Sequence, residues 1–315
     1  MAIVTNTFQT YGAIGNREDL SDIIYNISPT DTPFMSSIGK EKAEGTLHEW
    51  QTDALAAAAT NAQVEGDEIA FTAVVPTSRI NNRTQISRKS VIVSGTQDTV
   101  NTAGRNQELA YQISKNAKEL KRDMELVLCN NQSAAVGGAA AARTSSGLAS
   151  WIQTNINAIG ANGAVGGVDT PGILRTNGTQ RAFTEAQLKG VAASCWNSGG
   201  DPSMIMLGSF NKQKLSGFTG GSTKMTQADD KKLVAAIDIY ESDFGSMTVV
   251  PNRFSRSRDV FVLQPDMWAV AYLRDFQMID LAKTGDAEKK AMLAEYTLVA
   301  KNEAANGAIF DLTTA

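Results

Sequence analysis

Leu109-Ala-Tyr-Gln-Ile-Ser-Lys-Asn-Ala-Lys-Glu-Leu-Lys-Arg-Asp-Met-Glu-Leu-Val127 is the stretch from which the fold can be read. Its apolar residues Leu109, Ile113, Ala117, Leu120, Met124 and Val127 recur at spacings of three and four. Lys115, Lys118, Glu119, Lys121, Arg122 and Asp123 occupy the rest of the circumference. One apolar stripe with charge around it is the pattern of a helix lying along a core. The spacing predicts a helix from Gly104 to Asn130, about 40 Å long at 1.5 Å per residue. Asn130-Asn131 and Gly137-Gly138 end it. A stripe this regular reads as core packing and not as a cofactor face, so the helix is a spine for other elements.

Toward the N-terminus, Val91-Ile-Val-Ser-Gly95 is a short strand and turn leading into the spine. Residues 46–90 read as extended chain. Thr46-Leu-His-Glu-Trp50 alternates, Ile80-Asn-Asn-Arg-Thr-Gln-Ile86 is polar and strand-compatible, and a tip rich in alanine and acid lies between them from Ala56 to Glu68. Two strands alone bury too little to be stable in water, so a projecting ribbon needs cover from outside the subunit. Residues 1–45 hold little that folds alone. Asn16 to Tyr25 offers two helical turns with Leu20, Ile23 and Ile24 on one face, stopped at Ser28-Pro29-Thr30-Asp31-Thr32-Pro33, because a residue before proline is pushed out of the α region. Phe34, Met35 and Ile38 then need a surface to lie on.

Toward the C-terminus, residues 133–182 are enriched in Gly, Ala, Ser, Thr and Asn around one apolar island, Leu148, Trp151 and Ile152. This reads as a surface crossing or linker. A second lobe opens with the capping box Thr184-Glu-Ala-Gln187, followed by Leu188, Val191, Ala192 and Cys195 on one helical face. Gly199-Gly200 closes that helix, Met204–Leu207 is a short buried strand, and Ser209 can cap a helix carrying Leu215 and Phe218. Further strands are expected at Leu233–Tyr240, Met247–Val250, Val260–Leu263 and Trp268–Leu273. Helices between strands at this spacing give an α+β or α/β lobe. Tyr296–Ala300 alternates and is expected to meet Ile309-Phe310 through the turn pair Asn306-Gly307.

Composition excludes much. The 315 residues carry 29 basic and 33 acidic side chains, a net charge of -4 that disfavours a protein built to grip phosphate backbones. No apolar run approaches the ~18 residues of a membrane span, and the N-terminus lacks the pattern of a signal peptide, which predicts a soluble, unexported chain. Cys129 and Cys195 are the only thiols and His48 the only imidazole, leaving neither a zinc site nor a supported nucleophile–base pair. The thiols read as buried and reduced, and His48 as a packed strand residue. No glycine pair has the spacing of a Gly-x-Gly-x-x-Gly fingerprint, and Gly220-Gly221-Ser222-Thr223-Lys224 lacks the order of a phosphate loop. Asp229-Asp230 and the group Asp238, Glu241 and Asp243 are read as solvated faces and not as a hydrolase site. No catalytic residue, cofactor or metal is expected.

The order of these pieces, with several stretches of sequence, resembles the tailed-phage major capsid proteins of the Hong Kong 97 type. The stretches are Asn16-Arg-Glu-Asp-Leu-Ser-Asp-Ile-Ile-Tyr-Asn-Ile-Ser-Pro-Thr-Asp-Thr-Pro-Phe34, Val93-Ser-Gly-Thr-Gln97, Glu119-Leu-Lys-Arg-Asp-Met-Glu125, Gly208-Ser-Phe-Asn-Lys-Gln213, Val250-Pro-Asn-Arg253 and Lys301-Asn-Glu-Ala-Ala-Asn-Gly307. The resemblance implies an α+β capsid fold. It has an N-terminal arm (1–45), an extended ribbon (46–90), a peripheral domain (91–182 and 286–315, with the spine at about 104–130) and an axial domain (183–285). It implies a shell subunit that forms pentamers and hexamers around a double-stranded DNA genome, with portal, scaffolding and decoration proteins as partners, in the virion and, during assembly, the host cytoplasm. The same fold also serves encapsulin-like compartments, the rival reading, although the N-terminal wording favours the phage. No lysine lies between Lys42 and Lys89, so a covalent lock from a ribbon lysine is not expected, and about 45 residues before the ribbon are too few for a built-in scaffolding domain.

Two interface expectations follow. The loop from Ser216 to Asp230, which includes Ser222, reads either as a plain surface loop or, as the resemblance implies, as a loop near the axial tip. From Glu41 to Ala70 there are seven acids against one base, and from Phe71 to Ser90 four bases and no acid. Pairing within a hairpin neutralises some of these, but Glu65, Asp67 and Glu68 at the tip cannot all find partners there. They are expected to meet a basic surface on a neighbour, with Arg253, Arg256 and Arg258 as the candidates.

Overall fold

The structure, a computed structural model, describes residues 31–69, 71–100, 107–159, 174–218 and 238–314. The expected helix at 16–25, Ser222 with most of its loop, and Leu233 to Ile237 of an expected strand lie outside them. The chain opens with α1 (Pro33–Ser37), β1 (Gly39–Lys42), β2 (Leu47–Thr52), β3 (Ser78–Arg83), β4 (Gln85–Ser94), α2 (Gly95–Thr99), α3 (Glu108–Cys129) and α4 (Leu148–Trp151). It continues through β5 (Asn155–Asn157), α5 (Glu185–Asn197), β6 (Met204–Leu207), α6 (Ser209–Ser216), β7 (Ile239–Ser242) and β8 (Gly245–Pro251). Last come β9 (Val260–Leu263), β10 (Trp268–Asp280), β11 (Ala287–Ala300) and β12 (Gly307–Ile309).

The spine is α3. Leu120 and Met124 of the predicted stripe are buried, joined by Leu128, while Leu109, Ile113 and Ala117 are half-buried. The helix therefore sinks into the core toward its C-terminal end. There Leu120, Met124 and Leu128 meet Leu148, Trp151, Trp268, Tyr296, Leu298, Met206 and Phe261 in one cluster. Strands β1-β10-β11-β4 form one sheet and β5-β12-β9-β6-β8-β7 a second. In the second, β6 and β9 are buried at all four positions, as strands covered on both faces must be. Met204 and Met206 face the spine's cluster, while Ile205 and Leu207 face Leu188, Val191 and Cys195 of α5. The capping box of α5 is present, and the cap of α6 falls on Gly208, one residue before Ser209.

Sheet pairing divides the chain differently from a boundary at residue 285. β10, expected in the second lobe, pairs with β1 and β11, and β12, expected with the closing segment of the first, sits between β5 and β9. Asn306-Gly307 is accordingly no hairpin turn. Asn306 accepts hydrogen bonds from Gln264 N (2.7 Å) and Trp268 Nε1 (2.8 Å), and a side chain at Gly307 would lie 2.4 Å from Val191 Cγ1. The reading of 133–182 as a surface crossing is also corrected in part. Ser145, Ser146, Leu148, Ala149, Ser150, Trp151 and Ile152 are fully buried. Small residues are needed here for close approach: a Cβ on Gly147 would stand 2.3 Å from the carbonyl oxygen of Asn130.

Two buried carboxylates tie distant segments together. Glu125 of α3 accepts from the backbone N–H groups of Phe34 (2.8 Å) and Met35 (2.9 Å), and from Asn252 Nδ2 (2.7 Å). It thus supplies the cap that Thr32, which makes no side-chain cap bond, does not give α1. The surface that Phe34 and Ile38 need is the subunit's own core, where both are buried. Burial pushes the Glu125 carboxyl up, and the hydrogen bonds from Met35, Phe34 and Asn252 pull against that. Asp311, at a left-handed φ of 61°, accepts from Gly178 N (2.8 Å), Arg258 Nη2 (2.9 Å) and Ile159 N (3.1 Å). Beside it Arg175 stacks 3.8 Å over the Phe310 ring, and Asp259, 3.0 Å from Arg256, is pushed up to about 6 by burial against the pull of the surrounding arginines.

Glu125→Ala leaves three donors without their acceptor, two of them buried at a cost of about 1–3 kcal/mol each. Denaturant unfolding of the unassembled subunit should show a loss of about 3 kcal/mol or more, with new protease sensitivity near Lys40. Asp259 binds its proton more tightly folded than unfolded, so its ionisation opposes folding as pH rises through about 6. Relative to Asp259→Asn, the parent subunit should therefore gain thermal stability as pH is lowered from 7.5 toward 5.

Candidate functional site: the ribbon and its anchorage

The ribbon is β2 paired antiparallel with β3, from Leu47↔Arg83 at the root to Thr52↔Ser78. Its root is built into the core. Trp50 donates from Nε1 to the carbonyl of Ala300 (2.8 Å), and its ring lies 5.6 Å from that of Trp151. Asn82, fully buried, donates to the carbonyls of Leu298 (2.7 Å) and Ser146 (3.2 Å) and accepts from Ser146 N (2.9 Å). Thr84 donates to Glu295 (2.9 Å), which also pairs with Arg143 and with Arg274 (2.8 Å), while Arg143 donates to the Thr84 carbonyl (2.7 Å). The polar reading of Ile80–Ile86 thus hid an anchor, since Asn82 and Thr84 are buried because they are bonded. His48 lies opposite Asn82 with its ring 5.8 Å from Trp50, and burial pushes its pKa down.

Beyond Thr52 and before Ser78 the chain has neither helix nor strand and is exposed among the described residues. Leu55 is 100% exposed, Phe71 95%, Val74 93%, Val75 82% and Ile69 78%. So much apolar side chain in water on one segment marks a contact surface. Glu65, Asp67 and Glu68 are exposed on the same segment. Among the described residues, neutralisation within the hairpin is found lower down, where Arg79 stands 3.7 Å from Glu49.

The three candidate arginines do not act alike. Arg253 is exposed, whereas Arg256 and Arg258 are turned inward to Asp259 and Asp311. Asp229 and Asp230 lie outside the described residues. Asp238 is exposed beside Lys212 (3.4 Å). Cys129 and Cys195 are buried free thiols, Cys195 pushed up to about 12 and Cys129 well above its ordinary value, both by burial. Among the described residues no group of three His, Cys, Asp or Glu could hold a metal ion, and no helix is long and apolar enough to cross a membrane.

Comparison with known proteins gives this architecture its family. Residues 3–313 match the family model described as SU10 major capsid protein. The major capsid protein of Escherichia phage Phieco32 is 30% identical over 338 residues, covering 96% of each chain. In fold, the capsid of a native GTA particle superposes with a TM-score of 0.65 at 11% identity, covering 96% of this chain and 98% of that one. Phage G gp27 major capsid proteins, solved with gp26 decoration proteins, give 0.54 at 8% identity over 99% and 100%. The α+β fold is of the Hong Kong 97 type. This chain belongs to the SU10 major capsid protein family: it is a structural subunit of a tailed-phage head shell, not an enzyme, and its place is the virion capsid.

Proposed function

We propose that the subunit closes its shell through pentamers and hexamers, using the ribbon tip as a lever held at its root and completed only by a neighbouring copy. The observation that carries this is the contrast along one ribbon: Asn82 is fully buried and bonded at the root, while Phe71 is 95% exposed at the tip. A subunit gripped by several neighbours can rely on individually weak contacts, because each gains from the others already made. In this reading α3 with the four-stranded sheet is the peripheral domain and α5 with the six-stranded sheet the axial one. Packaged double-stranded DNA is touched without sequence preference, as the net charge of -4 suits, and portal, scaffolding and decoration proteins complete the head.

The acidic tip sets register. An exposed ion pair is worth only ~0–1 kcal/mol, so Glu65, Asp67 and Glu68 act on assembly rate and fit more than on subunit stability. Of the three arginines named from sequence, Arg253 is the one free to meet them in a neighbour, since Arg256 and Arg258 are paired within the subunit. Reversing Glu65, Asp67 and Glu68 to lysine should leave the melting temperature within a degree or two while blocking shell formation at low salt, followed by light scattering and electron microscopy. Normal shells from the reversed subunit would make the tip a plain solvated loop.

A further inference from the structure

β4 is a ten-residue strand at the edge of the four-stranded sheet. It pairs with β11 on one side, from Gln85↔Tyr296 to Ser94↔Ala287, and among the described residues no strand pairs with the other. It contains no proline and no bulge, and its one inward charge, Lys89, is taken up by the spine, so its outer row of N–H and C=O groups is a template for another strand. Its burial alternates strictly up to Ser90, and Ile86, Arg88, Ser90 and Ile92 are all exposed on one face. Lys89 points the other way, to Asp123 of the spine (2.8 Å).

The ribbon tip has the complementary lack. Phe71-Thr-Ala-Val-Val75 is rich in residues suited to a strand, yet it is outside any strand and makes no backbone hydrogen bond among the described residues. It starts well away from its own β4, because β3 carries the chain off by six residues paired with β2, about 20 Å at 3.3 Å per residue. The two segments also match in order. On extended chain Asp67, Ile69 and Phe71 share one face, and on β4 Arg88, Ser90 and Ile92 share one face. Set parallel, Asp67 falls at Arg88 and Phe71 at Ile92. Set antiparallel, the acid falls on the isoleucine and the phenylalanine on the arginine.

We infer that the tip of one copy adds as a fifth strand, parallel, to the outer edge of β4 of a second copy. This rests on the reading that the tip docks on a neighbour, and it names the site. Backbone hydrogen bonds supply the grip, while the Asp67–Arg88 and Phe71–Ile92 neighbours fix direction and register. The edge that β4 would otherwise offer to aggregation is thereby consumed by assembly.

Mixed shells of two single-cysteine variants test it, since Cys129 and Cys195 are buried and do not compete. Ile69→Cys with Ser90→Cys, and Ala73→Cys with Ser94→Cys, should give oxidised dimers between copies, whereas Ala73→Cys with Ile86→Cys, the antiparallel pairing, should not. In unmodified protein, β4 amides should exchange hydrogen at least tenfold more slowly in shells than in free subunits. Dimers from the antiparallel pair would overturn the stated direction. Links from Ile69→Cys to Arg253→Cys instead, with β4 exchange unchanged on assembly, would overturn the β4 site and leave docking of the tip intact. Unlinked variants together with β4 and tip amides that exchange alike in shells and subunits would overturn both.

Discussion

The carboxylate of Glu125 joins parts of the chain that are 91 and 127 residues apart, and the rest of the subunit is arranged around that node. A buried carboxylate is strongly disfavoured unless it is hydrogen-bonded. Here the required donors come from the first turn of α1 and from Asn252, which follows β8. The spine, α1 and the six-stranded sheet are thus held in one geometry, with Phe34, Leu120, Met124 and Met206 packed in the same cluster. The stretches ending at Phe34 and Glu125 and the stretch Val250–Arg253, read first as scattered similarities to capsid proteins, converge on this one site.

A rigid node of this kind permits a lever. Trp50, Asn82 and Thr84 are fastened to the carbonyls of Ala300 and Leu298 and to Glu295, so the ribbon's direction is set by the core and not by its own two strands. Among the described residues the apolar side chains at the tip find no partner and remain exposed. Stability is therefore concentrated in the body, and in the proposed reading the surface for assembly is left incomplete until copies meet. Weak contacts made by many copies allow errors to be undone during growth, yet hold firmly once the shell has closed.

Much of this was legible in the sequence, and the failures have specific causes. The spine was visible because its stripe is local, as were β6 and β9, which are short apolar runs. The capping box of α5 needs only four residues to be recognised. Ser145 to Ile152 was misread because small residues signal both loops and close packing, and only the approach of Asn130 to Gly147 decides between them. β10 and β12 were assigned by position along the chain, whereas sheet partners are chosen across it, and Asn306-Gly307 shows how a good turn pair yields to that choice. Glu125 and Asp311 give no sequence signal, since a buried acid looks like a surface one until its donors arrive from elsewhere. Arg256 and Arg258 misled for the same reason: their acids, Asp259 and Asp311, are near in space and unremarkable in sequence.

The central claim is that the ribbon tip is bare in the subunit and covered in the shell, and thiol labelling at a single position measures it directly. Val74→Cys, replacing a side chain region that is 93% exposed, should react with a small maleimide in the free subunit at the rate of an unstructured peptide. In assembled shells it should react at least tenfold more slowly. Equal rates in the two states would mean that no neighbour covers the tip, and would contradict the account.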